Sequence, residues 1–475
     1  MQPALALLHD LQEGAFRHLR LRPDALQLSV APDRLRARFK AAGWDDAELA
    51  KFNVSEERRQ TPLENPRDFV VVERAVRAAV AALAGMPNSG AEVAACNQIV
   101  FGTISTGDLW YSLIAVPTGD RPLVVFPSGV LRFAYLLSKC IALCFDYEQR
   151  EERGTVRYSM NNPTESAPSA LPASKPESGR RFHELVTAYA LCGHPLMAPP
   201  YPMGVAPSNA AATLTDHVLC YIAAHAFFSA LNAGPTRGEW ADRNLGGVAC
   251  REWVSAPAML READMAGVDI MARARRTQDG PEAFMRWAPL LFLHGSELGA
   301  VALETLRSGP QGSGSVLPLA VDLRDRAAEL VARFPEHSRF RAEAMWMREL
   351  VDALWNTESA NIERARGLGF APGVVPRPEG THGLLPMAYE EDGHLVPFVD
   401  VKGATRRREM EEFLKAAGQT RFEREWSHRD NDVVVCYRAA LFSETAARMS
   451  RTLRGRGFTA SHDDLILVPG EDWER

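Results

Sequence analysis

The chain has 475 residues, of which 46% are hydrophobic and 24% are charged, a composition typical of a globular protein long enough for two or three domains. The formal net charge of −6 excludes a global electrostatic attraction to nucleic acid or to anionic lipid. Seven cysteines are too few for a disulfide framework in so long a chain, and they predict a cytoplasmic protein.

The N-terminal part of the sequence predicts helices followed by a small sheet. Residues 1–90 are expected to form a helical region that ends with the amphipathic segment 66–84. Three short β-type runs follow, separated by the turn sequences TGD at 106–108 and 118–120. They predict a small antiparallel meander with strands at 98–105, 109–116 and 122–126, and a helix at 128–146.

Two breaks divide the rest of the chain. Residues 161–179 are rich in Ser and Pro and predict a flexible loop, while the Gly- and Pro-rich residues 367–383 predict a linker. Between these breaks the pattern is nearly all helical. The predicted helices of this block lie at 209–231, 257–276, 281–306 and 338–366.

The C-terminal residues 384–475 alternate between strand and helix patterns. They predict a small α/β domain of ferredoxin-like type, with strands at 395–401, 420–427, 432–439 and 459–468 and helices at 404–417 and 443–455. The fold class expected for the whole chain is therefore α+β.

Residues 216–234, DHVLCYIAAHAFFSALNAG, resemble the active-site helix of the zincin metallopeptidases. In that superfamily the helix reads HExxH, because two His one turn apart can grip one Zn²⁺ while the Glu activates the metal-bound water. The matching residues here are His-Ala-Phe-Phe-Ser at 225–229. The resemblance implies that His225 is a metal ligand, that Ala226 replaces the general base, and that Ser229 replaces the second ligand.

A second segment, LREADMAGVDIMARA at 260–274, resembles the following helix of the gluzincin branch, where ExxAD supplies a further ligand and an orienting Asp. Aligned on Ala263-Asp264, Leu260 stands in place of that ligand and Asp264 is the surviving carboxylate. Glu262 would point roughly 200° round the helix. Leu260, Glu262 and Asp264 are therefore the candidate site residues of this helix.

A third segment, FPEHSRFR at 334–341, is similar to a His-Pro and Arg segment of these peptidases and places His337 near the site. Within this superfamily, the pattern is most similar to that of the intracellular metallopeptidases of phage-exclusion systems. The resemblance covers 98–341 and implies a degenerate metallopeptidase-like domain at 91–366, mostly helical with a small antiparallel sheet.

The substitutions at Ala226 and Ser229 predict the loss of catalysis and of tight zinc binding. Without a carboxylate at Ala226 the general-base contribution, normally about 10² to 10⁴ in rate, is absent, and the Ser229 hydroxyl is a poor zinc ligand. We therefore expect no cofactor, or weakly bound zinc. Either natural decay or deliberate replacement of residues can produce this pattern. His217 or His294 could complete an unorthodox metal site with His225 and Asp264.

The function predicted from the sequence is a catalytically degenerate zinc-metallopeptidase-like scaffold that binds a protein or peptide, as in a prokaryotic defence system. One alternative is an active zinc peptidase with replaced catalytic residues or with substitute ligands such as Glu262. Another is a toxin or defence effector that acts through its C-terminal domain.

Membrane and nucleic-acid partners are not expected. The two most membrane-like stretches, 130–145 and 287–306, contain charged residues such as Arg132 and Glu297, which are costly in lipid. The basic run at 406–408 is diluted by neighbouring acidic residues.

Overall fold

Helices predominate in the part of the chain that the computed structural model describes. That part comprises residues 3–19, 40, 43–45, 59–86, 89–117, 121–152, 155–160, 167–192, 195, 201, 203–245, 247–275, 283–307, 318–367, 389–391, 394–396, 398–402, 422–429, 432–439 and 465–466. The chain divides into one unit of Met1–Gly179, Pro202–Glu297 and Leu319–Leu354, and a second of Arg180–Tyr201, Leu298–Pro318 and Trp355–Arg475. The α+β class predicted from the sequence is confirmed.

The described helices are α1 (Pro3–Leu19), α2 (Pro66–Ala84), α3 (Gly90–Cys96), α4 (Ser128–Ala142), α5 (Leu171–Ser174), α6 (Pro176–Cys192), α7 (Val205–Asn232), α8 (Pro257–Arg275), α9 (Ala283–Arg307), α10 (Pro318–Ala332) and α11 (Arg339–Gly367). Several begin at a proline, because its fixed φ suits the first turn and its missing N–H is not needed there. The predictions at 66–84, 209–231, 257–276, 281–306 and 338–366 are confirmed by α2, α7, α8, α9 and α11.

A five-stranded mixed sheet lies in the first unit. Its strands are β1 (Phe101–Ile104), β2 (Ser112–Ile114), β3 (Leu123–Pro127), β6 (Gly238–Leu245) and β7 (Val248–Ser255), in the spatial order β1-β3-β2-β7-β6. Strands β1 and β3 are parallel and the other pairs are antiparallel. The prediction of an antiparallel sheet is therefore wrong.

The segment between β1 and β2 explains why no meander forms. The amide of Gly129, at the start of α4, donates a hydrogen bond to the carbonyl of Thr106 (2.8 Å). A side chain at position 129 would meet the backbone of Gly107 at 2.4 Å. The segment thus turns against α4 instead of closing a hairpin, and β2 pairs with the far side of β3.

Two hairpins were not predicted. One pairs β4 (Tyr147–Glu152) with β5 (Thr155–Met160). The other pairs β6 with β7 inside the block predicted to be helical. Its two-residue connection follows Leu245, which pairs with Val248, and includes Gly247 at φ +82°, a conformation that favours glycine. The Gly-Gly sequence there was the available signal.

The Ser- and Pro-rich stretch is helical where it is described. Residues 167–179 contain a 3₁₀ turn (Pro168–Ala170), α5 and the first turn of α6, and Pro168, Leu171 and Pro172 are buried. The prediction of a flexible loop is wrong here, because the prolines start helices instead of interrupting them. Residues 161–166 lie outside the described residues.

Helix α7 passes through the core of the first unit. It is long and apolar enough to cross a membrane and is alone in this among the described helices, but 83% of its most apolar stretch is buried within the protein. A second core forms where α1 packs on the sheet, with Leu8 and Leu11 against Ile104 and Leu123.

The C-terminal strands are β8 (Tyr389–Glu391), β9 (His394–Val396), β10 (Phe398–Lys402), β11 (Phe422–Arg429), β12 (Asp432–Ala439) and β13 (Leu465–Ile466). Strands β8 and β9 form a two-stranded ladder, and the others form an antiparallel sheet in the order β11-β12-β10-β13. The predicted strands at 420–427 and 432–439 correspond to β11 and β12, whereas the one predicted at 395–401 is divided between β9 and β10, and of the one predicted at 459–468 the structure describes residues 465–466. The predicted linker after residue 367 and the predicted helices at 404–417 and 443–455 lie outside the described residues.

Candidate functional site: a buried polar cluster

Polar side chains recur every four residues along the otherwise apolar α7. They are His217, Tyr221, His225 and Ser229, which are 3%, 0%, 0% and 0% exposed. Since residues four apart share a helix face, this spacing makes a polar stripe. Buried polar groups are costly unless they are hydrogen-bonded, so the partners of the stripe define the site.

Helix α8 brings Asp264 to this stripe. His225 Nε2 lies 3.2 Å from Asp264 Oδ1, and Asp264 is 2% exposed. Gly267, one turn after Asp264, permits the close approach, because a Cβ there would lie 3.0 Å from the Tyr221 ring and 3.4 Å from His225 Cβ. The predicted proximity of His225 and Asp264 is therefore present in the structure.

A third helix, α10, brings Arg326 against both of these side chains. Its Nε and Nη2 donate hydrogen bonds to Asp264 Oδ2 and Oδ1 at 2.7 and 2.8 Å, and Nη2 also lies 3.2 Å from His225 Nε2. Nη1 reaches Asp322 at 3.4 Å. Arg326 is 3% exposed, so a bidentate, desolvated ion pair with Asp264 is at the centre of the cluster.

Two tyrosines complete the hydrogen bonding. Tyr221 donates to Asp264 Oδ1 (2.6 Å), and Tyr111 donates to Ser229 Oγ (3.0 Å) while its oxygen lies 2.7 Å from His225 Nδ1. Because Tyr111 gives its single proton to Ser229, the network assigns the His225 proton to Nδ1 and leaves Nε2 to accept from Arg326. Every polar side chain of the cluster then has a partner.

The aromatic ring of Trp110 packs against the guanidinium, and a second ring stacks on Trp110. The Cζ atom of Arg326 lies 4.9 Å from the ring centroid of Trp110, a cation–π contact. Trp110 also meets the His225 ring edge-on at 5.2 Å and stacks on Phe292 at 5.1 Å. Because Arg326 and Asp264 are buried, water is kept from the ion pair, which strengthens their attraction.

Burial and the ion pair together set the ionisation of the cluster. Burial alone would raise the pKa of Asp264, but the hydrogen bonds from Arg326 and the adjacent His225 ring outweigh it and hold that pKa below its usual range. Burial lowers the pKa of His225, against the opposing effect of Asp264. Burial also raises the pKa of Tyr111 and Tyr221. At neutral pH the charges are one carboxylate and one guanidinium, with a neutral imidazole between two phenols.

The donor set does not fit a zinc ion. A tetrahedral zinc with ligands at about 2.0–2.1 Å holds two ligand atoms roughly 3.3–3.4 Å apart, and the 3.2 Å between His225 and Asp264 is close to that spacing. However, Arg326 hydrogen-bonds both ligand atoms, and Ser229 is engaged by Tyr111. The positive charge that a metal would supply comes from the guanidinium.

The other predicted site residues are distributed as follows. Ala226 is fully buried in α7, and the backbone carbonyl of Leu260 lies against the His225 ring. Glu262 is on the surface and pairs with Arg237 at 2.8 Å. His217 bonds the Thr213 carbonyl, at 2.7 Å from its Nδ1.

His337, the remaining predicted residue, is exposed in the turn before α11. Among the described residues, the group of His, Cys, Asp and Glu side chains whose ligand atoms lie within 4.8 Å of one another is His9, Asp10 and Glu13, at the surface of α1. The structure therefore gathers none of His217, Glu262 and His337 around His225.

His294 belongs to a separate network. Its Nδ1 lies 2.7 Å from Glu297 on α9 and its Nε2 lies 2.8 Å from Asp352 on α11. Arg324 of α10 donates to the other oxygen of Glu297 at 2.6 Å. Burial alone would lower the pKa of His294, but the bonds to Asp352 and Glu297 outweigh it and raise that pKa.

Sequence reasoning missed Arg326, Tyr111, Tyr221 and Trp110. A signal existed for Arg326, which shares the face of α10 with Leu323, Ala327 and Leu330, all of them buried, so that an arginine interrupts a core pattern. The four-residue interval through Tyr221 was a second signal. Tyr111 and Trp110 lie in the segment between two strands, where the sequence offered no such signal.

Comparison with protein-family models, with curated proteins and with solved structures found no match for this chain.

Proposed function

We propose that this protein is a catalytically inert, zincin-like scaffold that binds polypeptide. The observation that carries the proposal is the position of Arg326, whose guanidinium bonds both His225 and Asp264. A permanent cation at this point substitutes for a catalytic metal while keeping the two helices in register.

The geometry of α7 and α8 supports kinship with zincins. The imidazole of His225 and the carboxylate of Asp264 face each other at a metal-like spacing, and the Leu260 carbonyl lies beside the same ring. These are the relations expected if α7 corresponds to the HExxH helix and α8 to the ExxAD helix. On this proposal, residues 91–366 have the degenerate metallopeptidase fold.

The same geometry opposes peptidase activity. Ala226 supplies no general base, and the cluster is buried, so that a peptide bond cannot reach His225. The alternative of substitute zinc ligands is not supported, because Glu262 pairs with Arg237, and His294 pairs with Glu297 and Asp352.

An exposed sheet edge supports polypeptide binding. Among the described residues β6 pairs with β7 alone, and Glu239, Asp242, Arg243 and Asn244 along it are exposed. Such an edge can add an extended peptide as a further strand through main-chain hydrogen bonds. In a two-residue hairpin closed by Leu245 and Val248, alternation of the ladder directs the N–H groups of Asp242 and Asn244 outward.

The C-terminal strands support a ferredoxin-like interaction module. Taking β10, β11, β12 and β13 as strands one to four, the sheet order reads 4-1-3-2 with every neighbour antiparallel, as in a βαββαβ unit. We place the protein in the cytoplasm, with a role such as recognition in a prokaryotic defence system.

Metal analysis tests the inert site. We expect purified protein to hold far less than one zinc per chain, and a content of about one tightly bound zinc per chain would overturn the proposal. Restoring the residues that a zincin uses to bind zinc is a sharper test than the metal content alone. The triple variant Ala226→Glu, Ser229→His and Leu260→Glu should stay zinc-free, whereas adding Arg326→Ala should permit binding. Equal binding by both variants would show that Arg326 does not hold the cation position.

A simpler variant guards against misfolding of the multiple substitutions. Arg326→Ala alone retains His225 and Asp264, so zinc in the millimolar range should raise its Tm and leave that of the native chain unchanged. If zinc raises neither Tm, the kinship with zincins loses its support.

Polypeptide binding is tested at the β6 edge. A fluorescently labelled, permanently unfolded model polypeptide should bind the full-length protein in an anisotropy titration. Asp242→Pro, which removes an outward N–H, should weaken binding severalfold. Glu262→Ala, on the surface of α8, is the control and should bind as the native chain does. An unchanged affinity in Asp242→Pro would exclude this edge.

A further inference from the structure

A concave pocket in the first unit has no role in the proposal above. It opens between α2, α3, α7 and α8 and has a volume of about 750 Å³, within the range of about 300–1,000 Å³ typical of small-molecule sites. Its apolar lining includes Leu83, Phe227, Phe228, Leu231, Met265 and Ile270. The shape and the lining favour an apolar ligand body.

Arg121 supplies a cation in the wall of this pocket. It is half-buried, and within the described ranges no acidic side chain lies at ion-pair distance from it. A partly desolvated guanidinium with no counter-ion in the part of the chain that the structure describes favours an anionic ligand group, because Arg pairs with carboxylates through two parallel hydrogen bonds.

The other charges at the pocket are more exposed. Glu262 is neutralised by Arg237, while Glu92, Asp269 and Arg333 are exposed lining residues. Glu92 and Arg121 both act on the buried thiol of Cys96, whose pKa is raised to about 11 by burial first and by Glu92 second, and lowered by Arg121. Glu92 therefore opposes an anion near Arg121, and removing its charge should favour one.

We propose that this pocket binds a medium- or long-chain fatty acid, with the alkyl chain along Phe227, Phe228 and Leu231 and the carboxylate on Arg121. The pocket is of a size for a small ligand, whereas a stable protein partner covers about 800 Å² on each side. The inference goes beyond the scaffold role and does not depend on the His225 cluster.

Calorimetric titration of the full-length protein with decanoate, decanol and decylamine tests the head group. We expect saturable one-to-one binding of decanoate and weaker binding of the other two. Arg121→Gln should weaken decanoate binding about tenfold or more, and Glu92→Gln should tighten it. Equal or tighter binding of decanol or decylamine, an unchanged affinity in Arg121→Gln, or no binding of decanoate would overturn the proposal.

Two alanines of α3 test the location. Ala95 lines the pocket, whereas the exposed Ala94 does not, so Ala95→Trp should abolish decanoate binding and Ala94→Trp should preserve it. Circular dichroism checks that both variants fold, and Ala91→Trp is a second filling variant at an exposed lining position. Retained binding in both filling variants would place the ligand elsewhere. The zinc content is measured separately, so failure here leaves the proposed scaffold role to its own test.

Discussion

Two buried histidines of the first unit have opposite electrostatic environments. His225 is fully buried beside one carboxylate, Asp264, which Arg326 already neutralises, and its pKa is lowered. His294 is 3% exposed and bonds two carboxylates, Glu297 and Asp352, and its pKa is raised. Burial is similar in both, so the number of carboxylates bonded to each ring decides the direction in which its pKa shifts.

Helix α10 contributes to both networks. Arg326 points into the His225 cluster with its side chain 2% exposed, while Arg324 pairs with Glu297 with its side chain 49% exposed. The histidine whose pKa is lowered thus lies beside the buried arginine, and the one whose pKa is raised lies beside the partly exposed arginine. Breaking each network in turn tests this difference in solution.

The largest effect is expected for Asp264→Ala. It leaves the Arg326 charge buried without its partner, which costs about 3–5 kcal/mol. Urea unfolding monitored by circular dichroism measures the loss. Glu262→Ala, two residues along α8 and exposed in a surface pair, is the matched control and should stay within about 0.5 kcal/mol of the native chain.

The double variant Asp264→Leu with Arg326→Met sharpens this first prediction. Because both charges are removed together, much of the stability lost in Asp264→Ala should return. A double variant that is less stable than Asp264→Ala would show that the ion pair contributes more than it costs to bury.

The next effect is the pH dependence of His294→Gln. The groups that face His294 are Glu297 and Asp352, with Arg324 against Glu297 and Arg348 acting on Asp352. Because the folded-state pKa is raised, the contribution of His294 is complete below its unfolded value of about 6.5 and is lost as the pH rises through the folded value. His294→Gln should therefore cost about 1.5–3 kcal/mol near pH 5.5 and less near pH 9.

His225→Gln gives the opposite trend and tests the comparison directly. Its folded-state pKa is lowered, so the native ring disfavours folding as the pH falls below the unfolded value. The cost of His225→Gln should shrink on acidification, when measured by the same urea titrations. Parallel pH trends in the two variants would contradict the contrast between the rings.

A smaller effect is expected for Tyr111→Phe. It removes the hydroxyl between His225 Nδ1 and Ser229 Oγ and leaves a buried N–H without an acceptor, which costs about 1–3 kcal/mol. Ser229→Ala in the Tyr111→Phe background should add little, because the two groups act through one bond. Fully additive losses in a double-mutant cycle would show that they are independent.

The smallest effect is expected for Gly267→Ala. The new methyl group would crowd the Tyr221 ring at 3.0 Å, which offsets the roughly 1 kcal/mol that alanine gains over glycine in a helix. Gly179→Ala in α6, where nothing lies within 4 Å, should be stabilising by about that amount. Equal thermal shifts in the two variants would mean that α7 and α8 can separate freely.

The helices could be predicted from sequence because their signals are local. The ends of α2 were predicted to the residue and those of α8 to within one residue, from an initial proline and an apolar face. The parallel pairing of β1 with β3 could not be predicted, since it depends on the contact of the intervening segment with Gly129. The 168–174 segment was predicted wrongly because proline interrupts a helix when it lies inside it but also begins helices.

The site could be predicted in part. The facing of His225 and Asp264 follows from helical spacing and from the family resemblance, and the structure contains it. Arg326 comes from a third helix, 62 residues after Asp264, and no local pattern connects the two. The role of His225 as a former metal ligand and that of Asp264 as a carboxylate beside the metal stay predictions.

The guanidinium of Arg326 has a consequence for the conditions under which the cluster survives. Chelators or dilution can remove a dissociable ion, and starvation can make it scarce. A side-chain cation, by contrast, is part of the polypeptide from its synthesis. Arginine also keeps its proton across the whole physiological range. Folding of this core should therefore be indifferent to EDTA and to the mineral supply of the cell.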